Sequence, residues 1–337
     1  MNNKDLAIID NEKIFLDDNS FYCDNIDSKS IPEGLNNFKK VYLIARYSKT
    51  KRVQKINLKE IKVGSNIFIF LSSIIKTFSN KNINYLLISL NPFTFFSSII
   101  LLLFKKKVFI YLRSNGYEEY KSKYGLFGKF IYHIMFTLVT PKSNLIVCQK
   151  RLTNKKNFYL VFPSQLNEKW FVDLKKPLLD KIRLLYVGRM RIEKGIFDFL
   201  KLFNKLNFDA ELSIVSDTKS LKNNDKRINL VGFGFDSTSL INIYDKHNIM
   251  ILPSFTEGHP QVVLESLARK RPVIIFRDID HIIGDKEGIF VSERNEGSFL
   301  KTVNFIMQNY SSIQESMIKN KLPTKEEFIL QMNKILT

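Results

Sequence analysis

The sequence predicts an α/β protein with two Rossmann-like domains, and three observations support this class. A chain of 337 residues suits two domains of ordinary size. In both halves, short apolar runs of strand length alternate with segments whose apolar residues follow helical spacing. Several strands end in loops that contain glycine and charged residues, as expected where parallel strands bind ligands at their carboxyl ends. We therefore expect a ligand in a cleft between the two domains.

Residues 1–165 are predicted to form the first domain. Its front is the least regular part, because Asp10, Asn11 and Glu12 follow the first apolar run where a tight turn would suit glycine. The predicted strands of this half are 6–9, 41–45, 85–90, 108–112, 144–148 and 158–162, with helices over 93–104 and 126–139.

Residues 166–180 are predicted to be a linker, residues 181–310 a second domain, and residues 311–337 a helical tail. Proline and paired lysines favour the linker assignment. The predicted strands of the second domain are 182–187, 211–215, 228–231, 248–252, 273–276 and 288–291. Apolar residues at helical spacing predict helices that begin near residues 197, 240, 261 and 299, and a last helix over 324–336.

The basic charge of the chain is concentrated in its first half. The net charge is +19, and residues 1–165 contain 26 Lys and Arg against 11 Asp and Glu, whereas residues 166–337 contain 26 against 22. Nine basic residues and one acid lie between residues 39 and 62. An anionic membrane surface is the partner we expect, rather than nucleic acid, because no zinc-finger spacing or RNA-binding aromatic motif is present. A solvated basic surface remains the alternative.

The remaining composition points to the cytoplasm. Two cysteines, Cys23 and Cys148, provide neither a disulfide framework nor a metal cluster. No apolar segment has the length of a membrane span or of a secretory leader, so we expect a cytoplasmic protein that can sit peripherally on the inner face of the cell membrane. The apolar run 93–104 is short and predicts a buried helix, with an interfacial helix as the alternative.

The segment 253–265, Pro-Ser-Phe-Thr-Glu-Gly-His-Pro-Gln-Val-Val-Leu-Glu, contains the most informative pattern in the chain. It follows a predicted strand and opens a helix, with Gly258 in the turn and Pro260 at the expected first helical position. The N–H groups of Gln261 and Val262 and the helix dipole predict an anion site. Glu257 and Glu265 flank this site, and carboxylates there suit the hydroxyl groups of a nucleotide sugar.

A second loop, residues 188–195, follows the predicted strand 182–187. Gly188 permits a close approach of the backbone, and Arg189 and Lys194 offer charge-assisted hydrogen bonds to a diphosphate. Taken alone, two basic loop residues are usually solvated.

Together, the two loops resemble retaining glycosyltransferases of the GT-B type, family 4 (glycosyl transferases group 1). The string Glu257 to Glu265 is similar to the family's Glu-Gly-x-Pro-x-Val-x-Leu-Glu context, and residues 188–195 are similar to its Gly-Arg…Lys-Gly element. The resemblance is strong over 182–310 and architectural over 1–165. It implies a GT-B fold with two Rossmann-like domains facing each other across a cleft.

The resemblance also implies roles for individual residues. Arg189 and Lys194 would hold the donor diphosphate, Glu257 the donor sugar and Glu265 the ribose, with Glu257, Arg189 and Lys194 as the catalytic set. The implied donor-binding set is Gly188, Gly258, His259, Gln261, Val262, Glu265, Gly232 and Phe233, of which the last two would lie beside the nucleobase. In the first domain, Arg113 and Asn115 replace a family His or Asp, although Asn-Gly turn chemistry also explains them.

The implied activity is transfer of a sugar from a nucleotide-diphosphate donor to the hydroxyl of a saccharide or lipid-linked acceptor, with retention of anomeric configuration. Bacterial surface polysaccharide or glycolipid synthesis is the expected setting. We expect no metal and no cofactor beyond the donor. A GT-B nucleotide-sugar epimerase, a non-catalytic nucleotide-sugar-binding protein and a membrane-surface scaffold remain alternatives.

Overall fold

The computed structural model describes residues 3–216, 225–232 and 236–337. The chain divides into two compact units. Unit 1 comprises residues 1–163 and 326–337, and unit 2 comprises residues 164–325. Each unit is a Rossmann-like α/β domain with a parallel sheet at its centre, so the predicted fold class is confirmed.

Unit 1 alternates strands and helices along the chain. Its elements are β1 (Asp5–Asp17), β2 (Ser20–Cys23), α1 (Ile26–Gly34), β3 (Val41–Tyr47), β4 (Gln54–Ile56), β5 (Glu60–Gly64), α2 (Ile67–Ile75), β6 (Ile83–Ile88), α3 (Pro92–Leu103), β7 (Val108–Leu112), α4 (Gly116–Val139), β8 (Asn144–Val147) and β9 (Tyr159–Leu160). Among the described residues of the whole chain, no helix combines the length and hydropathy needed to cross a bilayer.

The parallel sheet of unit 1 is covered on both faces. Its strand order is β5-β3-β1-β6-β7-β8-β9, and β2 and β4 extend it with antiparallel pairing. Successive residues of β1 point to opposite faces, with Ala7 and Ile9 in one apolar cluster and Leu6 and Ile8 in the other. Burial on both faces explains why these strands read as continuous apolar runs in the sequence.

The front of unit 1 differs from the sequence prediction, in which the first strand ended at residue 9. In the structure β1 continues to Asp17 and forms a hairpin with β2. Asp18 and Asn19 make the turn, both with positive φ (40° and 60°), a conformation that Asp and Asn tolerate better than most side chains. The polar residues 10–12 are therefore strand residues, and the chain turns only at Asp18 and Asn19.

The predicted last helix forms, as α10 (Lys325–Leu336), and it packs on unit 1. Phe328, Met332 and Leu336 lie four residues apart and are buried in the same cluster as Leu6 and Ile8. Helix α10 therefore completes an apolar core that also contains residues of β1.

Unit 2 is built around its own single apolar core. Its strand order is β12-β11-β10-β13-β14-β15, all parallel. The elements are β10 (Ile182–Val187), α5 (Ile196–Lys205), β11 (Ala210–Ser216), β12 (Ile228–Gly232), α6 (Ser237–Lys246), β13 (Ile249–Leu252), α7 (Gln261–Ala268), β14 (Val273–Phe276), β15 (Ile289–Ser292), α8 (Glu296–Gln308) and α9 (Tyr310–Met317).

The segment interpreted as a linker, residues 166–180, lies within unit 2. Trp170 is buried in the core against Tyr244, with ring centroids 5.6 Å apart. The fully buried Arg269 donates to the carbonyl oxygens of Trp170 and Val172 at 3.1 and 2.7 Å, and its charge is balanced by Asp245 at 2.8 Å. These bonds hold the segment against the end of α7.

Candidate functional site

The two loops singled out in the sequence lie at the topological switch point of unit 2. In the sheet, β11 and then β12 lie beyond one edge of β10, and β13, the next strand in the chain, pairs with the other edge of β10. Because β10 and β13 are parallel neighbours, the loops that follow them, residues 188–195 and 253–260, leave the same edge of the sheet. This is the position at which open α/β sheets bind ligands.

These two loops are joined by their backbones. The N–H of Phe255 donates to the carbonyl oxygen of Glu193 at 3.0 Å. Gly195 adopts a left-handed conformation (φ 64°), and a Cβ at this position would collide with the carbonyl oxygen of Pro253. Only glycine meets both requirements, so Gly195 is what allows the loops to approach.

Lys194 and Glu257 meet where the loops touch. The Lys194 Nζ lies 2.7 Å from Glu257 Oε1, and Ser254 Oγ donates to the same oxygen at 2.6 Å. Only 9% of the Glu257 side chain is exposed, so the pair is screened less by solvent than a surface pair would be. The structure therefore brings together two residues that the sequence places 63 positions apart.

Gly188 and Arg189 lie at the beginning of the first loop. The N–H of Gly188 donates to the carbonyl oxygen of Val215 at 3.0 Å, and Tyr186 Oη donates to the carbonyl oxygen of Arg189 at 2.9 Å. The backbone of this turn is thus fixed, while the Arg189 side chain is exposed. A long exposed cation on a fixed backbone can reach an anion bound beside it.

Helix α7 begins one residue later than predicted, with Pro260 as the capping residue and Gln261 as the first helical residue. Pro260 has an extended ψ of 114°, which excludes it from the helix. The side chain of Gln261 accepts a hydrogen bond from the Gln165 N–H at 3.1 Å. Gly258 is buried, and His259 and Val262 are half-buried. The positive end of the α7 dipole therefore lies directly after the loop that contains Glu257.

Glu265 lies one turn into α7, beneath the loops. Tyr244, which is fully buried, donates from its Oη to Glu265 Oε2 at 2.8 Å. Glu265 itself is half-buried, and removal of its carboxylate from water raises the pKa to about 7. A carboxylate held close to its pKa at neutral pH is sensitive to any ligand that donates hydrogen bonds to it.

Arg294 was not singled out in the sequence, and it fixes the loop in front of Glu257. Its guanidinium lies 4.0 Å from the Phe255 ring centroid and 4.7 Å from that of Phe276. Nη2 donates to the carbonyl oxygens of Pro253 and Ser254 at 2.8 and 3.2 Å. No local pattern could have revealed this residue, because its partners on the loop lie about 40 positions earlier in the chain.

Gly232, expected near a nucleobase, is the last residue of β12 and pairs with Ser216 of β11. Among the residues that the structure describes, none would lie within 4 Å of a Cβ at Gly232. Phe233, the other residue expected there, lies outside the described residues.

The two residues singled out in unit 1, Arg113 and Asn115, make local structural contacts. Arg113 Nη1 lies 3.0 Å from Asp27 Oδ2. The Asn115 side chain accepts from the Glu118 N–H at 3.4 Å and caps α4, as turn chemistry would predict. Asp10, buried at the carboxyl end of the same sheet, accepts from Ser28 Oγ at 2.5 Å. The signal that the sequence offered for Asp10 was an acid directly after an apolar run.

The part of the chain that contains these two loops is similar to known proteins. Residues 181–309 match the family described as "Glycosyl transferases group 1". A relative from Bacillus subtilis, described as "Putative teichuronic acid biosynthesis glycosyltransferase TuaC", is 30% identical over 113 residues. That match spans 33% of this chain and 29% of the relative, and therefore less than a third of the relative's length.

Solved structures extend the likeness of fold to the whole chain. Sucrose-phosphate synthase from Thermosynechococcus elongatus superposes with a TM-score of 0.73 and 14% identity, covering 98% of both chains. WaaG, a glycosyltransferase involved in lipopolysaccharide biosynthesis, superposes with a TM-score of 0.67 and 12% identity, covering 98% of this chain and 99% of its own. At such identities the likeness establishes the GT-B type of fold and nothing further.

Proposed function

We propose that the protein is a retaining glycosyltransferase of family 4 that transfers a sugar from a nucleotide-diphosphate donor to an acceptor hydroxyl. The observation that supports it most is the meeting of Lys194 and Glu257 at the switch point of unit 2, directly before the start of α7. A cation, a carboxylate and a helix start in one place suit a ligand that is a diphosphate at one end and a polyol at the other.

The chemical step that this arrangement favours is departure of the nucleoside diphosphate. Negative charge grows on the β-phosphate as the glycosidic bond breaks. Lys194, Arg189 and the positive end of α7 are suited to stabilise that charge, and preorganised groups of this kind are usually the largest single contribution to catalysis. We propose that these groups make the step independent of a metal, with no cofactor beyond the donor.

The two glutamates would bind different parts of the donor. We assign Glu257, which is fixed by Lys194 and Ser254, to hydroxyls of the donor sugar. Glu265, which lies one turn deeper in α7 and accepts from Tyr244, is assigned to the ribose. Because Lys194 contacts Glu257, it would link the sugar to the diphosphate, and its loss would disturb both.

We assign no protein nucleophile. In the proposed mechanism the bond between the anomeric carbon and the diphosphate oxygen breaks, and the acceptor oxygen bonds to that carbon from the same face. The acceptor proton passes to the departing diphosphate oxygen, and the anomeric configuration is retained. Unit 1 would bind the acceptor, a saccharide or a lipid-linked saccharide. The basic charge of residues 1–165 supports an acceptor presented at an anionic membrane, in surface polysaccharide or glycolipid synthesis.

Donor screening tests the proposal directly. UDP-, GDP- and dTDP-sugars are added in turn, and thermal unfolding is followed, because a ligand that binds only the folded state raises its stability by mass action. We expect one nucleotide class to raise the melting temperature, and Lys194→Ala to reduce that rise at the same donor concentration. The product formed with an acceptor should keep the anomeric configuration of the donor by NMR. Conversion of the donor sugar without any acceptor would indicate an epimerase instead, and failure of every nucleotide would refute the donor site.

A further inference from the structure

Three helices of unit 1 form one layer on the same face of its sheet. Phe70 of α2, Leu101 of α3 and Met135 of α4 are all buried in the same apolar cluster, and α3 packs against both of its neighbours. The sides of α2, α3 and α4 that point away from this cluster are called the outer helical face here. Helix α10 packs in the cluster on the opposite side of the sheet.

Helix α4 is apolar on both of its sides. Its inner residues Tyr132, Met135 and Val139 are buried. A second apolar stripe lies on the exposed side at strict four-residue spacing, and its members each expose between 40% and 76% of their surface: Leu126, Phe130, Ile134 and Leu138. Phe127, which adjoins Leu126, is 70% exposed and widens this stripe. A helix of a water-exposed surface normally has one apolar side, so this second stripe indicates a further contact.

The same feature continues across the neighbouring helices. Phe68 of α2 and Leu103 of α3 each expose at least 73% of their surface, and Phe104 follows directly after α3. Single exposed apolar residues are ordinary, but an extended group of aromatic and aliphatic side chains on adjacent helices marks an interaction surface.

The segment of the chain that contains the three helices is almost entirely positive in its charge. Residues 61–167 contain 15 Lys and Arg and only two acids, Glu118 and Glu119. Lys129 is exposed within the part of α4 that contains the stripe, and Lys121 and Lys123 are exposed before the kink at Gly125 (φ 65°, ψ −155°). The basic residues between 39 and 62 are divided by β3, because Lys39 and Lys40 precede this strand whereas Lys49, Lys51 and Arg52 follow it.

We propose that the outer helical face docks on the surface of an anionic lipid bilayer. Its aromatic and aliphatic side chains enter the interface between headgroups and acyl chains, and its lysines contact anionic headgroups. A second copy of the chain fits less well, since two faces of the same positive charge would oppose each other. The inference depends on the proposed function only for its purpose, which is to bring unit 1 to a lipid-linked acceptor.

Vesicle co-sedimentation tests the docking. The protein is mixed with phosphatidylglycerol-containing or pure phosphatidylcholine vesicles at 0.1 M salt, and we expect pelleting only with the former. The double variant Phe127→Ser/Phe130→Ser should lower the partition coefficient at least tenfold, because each side chain leaves the apolar interface. Reversal of Lys121, Lys123 and Lys129 to Glu should lower it by about fivefold or more for each lysine lost.

The matched control lies on the opposite face of unit 1. Leu330 of α10 is 67% exposed and Phe127 of α4 is 70% exposed, so substitution of either leaves the core intact. Leu330→Ser should bind vesicles within twofold of the unsubstituted protein. Equal loss in Leu330→Ser and in the double variant would overturn the proposal, because the effect would then not belong to the outer helical face.

Fluorescence locates the contact independently. The chain has a single tryptophan, Trp170, which is buried in unit 2. In Phe127→Trp, anionic vesicles should shift the added emission to the blue and brominated lipids should quench it, whereas in Leu330→Trp neither should happen. If Phe127→Trp pellets with anionic vesicles but the emission of the added tryptophan neither shifts nor is quenched, the proposal is overturned.

Two further measurements separate the remaining outcomes. The first is analytical ultracentrifugation. If the protein forms concentration-dependent dimers that Phe127→Ser/Phe130→Ser abolishes, and binds no vesicles, the outer helical face joins two copies and lipid docking is overturned. Nucleotide-induced thermal stabilisation, measured on the same double variant, should equal that of the unsubstituted protein. Loss of vesicle binding with intact nucleotide binding is thus distinguishable from failure of the proposed function.

Discussion

Glu265 should make donor binding depend on pH, and Glu265→Gln should remove that dependence. Burial raises the pKa of Glu265 to about 7, so at pH 6 roughly one molecule in eleven contains the carboxylate, and at pH 8 roughly ten in eleven. If ribose hydroxyls donate to the carboxylate, the donor selects the ionised form. Donor affinity should then rise about tenfold, or about 1.4 kcal/mol, from pH 6 to pH 8.

Calorimetry with an intact nucleotide sugar is the appropriate assay. A bare nucleoside diphosphate has a terminal phosphate that titrates near pH 6, whereas the diphosphate diester of a nucleotide sugar keeps its charge. Titrations in buffers of different ionisation enthalpy should show release of nearly one proton per donor at pH 6. The difference between the unsubstituted protein and Glu265→Gln isolates the contribution of this glutamate, because any other titrating group is common to both proteins.

The same shift predicts a gain in stability for the unliganded variant. The folded-state pKa of Glu265 is raised above its usual value of 4.5, so the folded protein binds more protons between pH 4.5 and 7, and its stability falls as pH rises through that window. The cost above pH 7 has an upper limit of about 3 kcal/mol, which partial exposure reduces. Glu265→Gln should therefore melt several degrees higher at pH 8 and no higher at pH 4.5.

A control and a refuting result complete this prediction. Glu315→Gln on α9 replaces an exposed glutamate and should change neither donor affinity nor melting temperature. If Glu265→Gln keeps the tenfold rise in affinity, the ribose assignment is wrong. If it also fails to stabilise the protein at pH 8, the carboxylate is not held in the environment that the structure shows.

The other predictions concern the loops and their support. Arg189→Ala and Lys194→Ala should each weaken donor binding by about 1.5–3 kcal/mol in calorimetry, and unchanged affinity in both would exclude the diphosphate role. Glu257→Gln should weaken the donor and spare the bare nucleoside diphosphate, so equal losses for the two ligands would contradict its assignment to the sugar. Arg294→Lys should accelerate amide exchange in residues 253–257 and raise KM for the donor, because an ammonium cannot both stack on the aromatic rings and donate to two carbonyl oxygens as the guanidinium does. Unchanged amide exchange would show that Arg294 does not fix this loop. Arg269→Ala should destabilise the protein by about 3–5 kcal/mol in urea, since it leaves a buried carboxylate with less compensation, and a loss below 1 kcal/mol would refute that account.

Unit 2 could be predicted closely because its chemistry is local in the sequence. The strands β10 and β14 begin and end where their apolar runs do, since parallel strands buried on both faces cannot accommodate polar residues without a cost. The loops that follow β10 and β13 contain Gly188, Lys194 and Glu257, which the sequence singled out, and Glu265 follows in the first turns of α7. Their meeting also follows from topology, because the return of the chain to the far side of β10 makes their strands neighbours.

The front of unit 1 could not be predicted in the same way. Burial of Asp10 is made possible by a hydrogen bond from Ser28, a residue of α1, and no periodic pattern reports such a partner. The β1–β2 hairpin did leave a signal, Asp18-Asn19 between two short apolar runs, which turn chemistry alone could have identified.

Residues that hold a site in place are harder to recognise than residues that touch a ligand. A ligand-binding side chain follows a strand and therefore lies within a motif, whereas Arg294 reaches its loop from 40 positions along the chain and Arg269 holds a segment nearly 100 positions earlier. Both arginines donate to backbone carbonyl oxygens, and backbone groups are present at every residue, so neither contact restricts the sequence of its partner. Two features therefore fix the position of Glu257: the turn around Gly258, which is local in the sequence, and Arg294, which is remote from it. Only the first of these can be read without a structure.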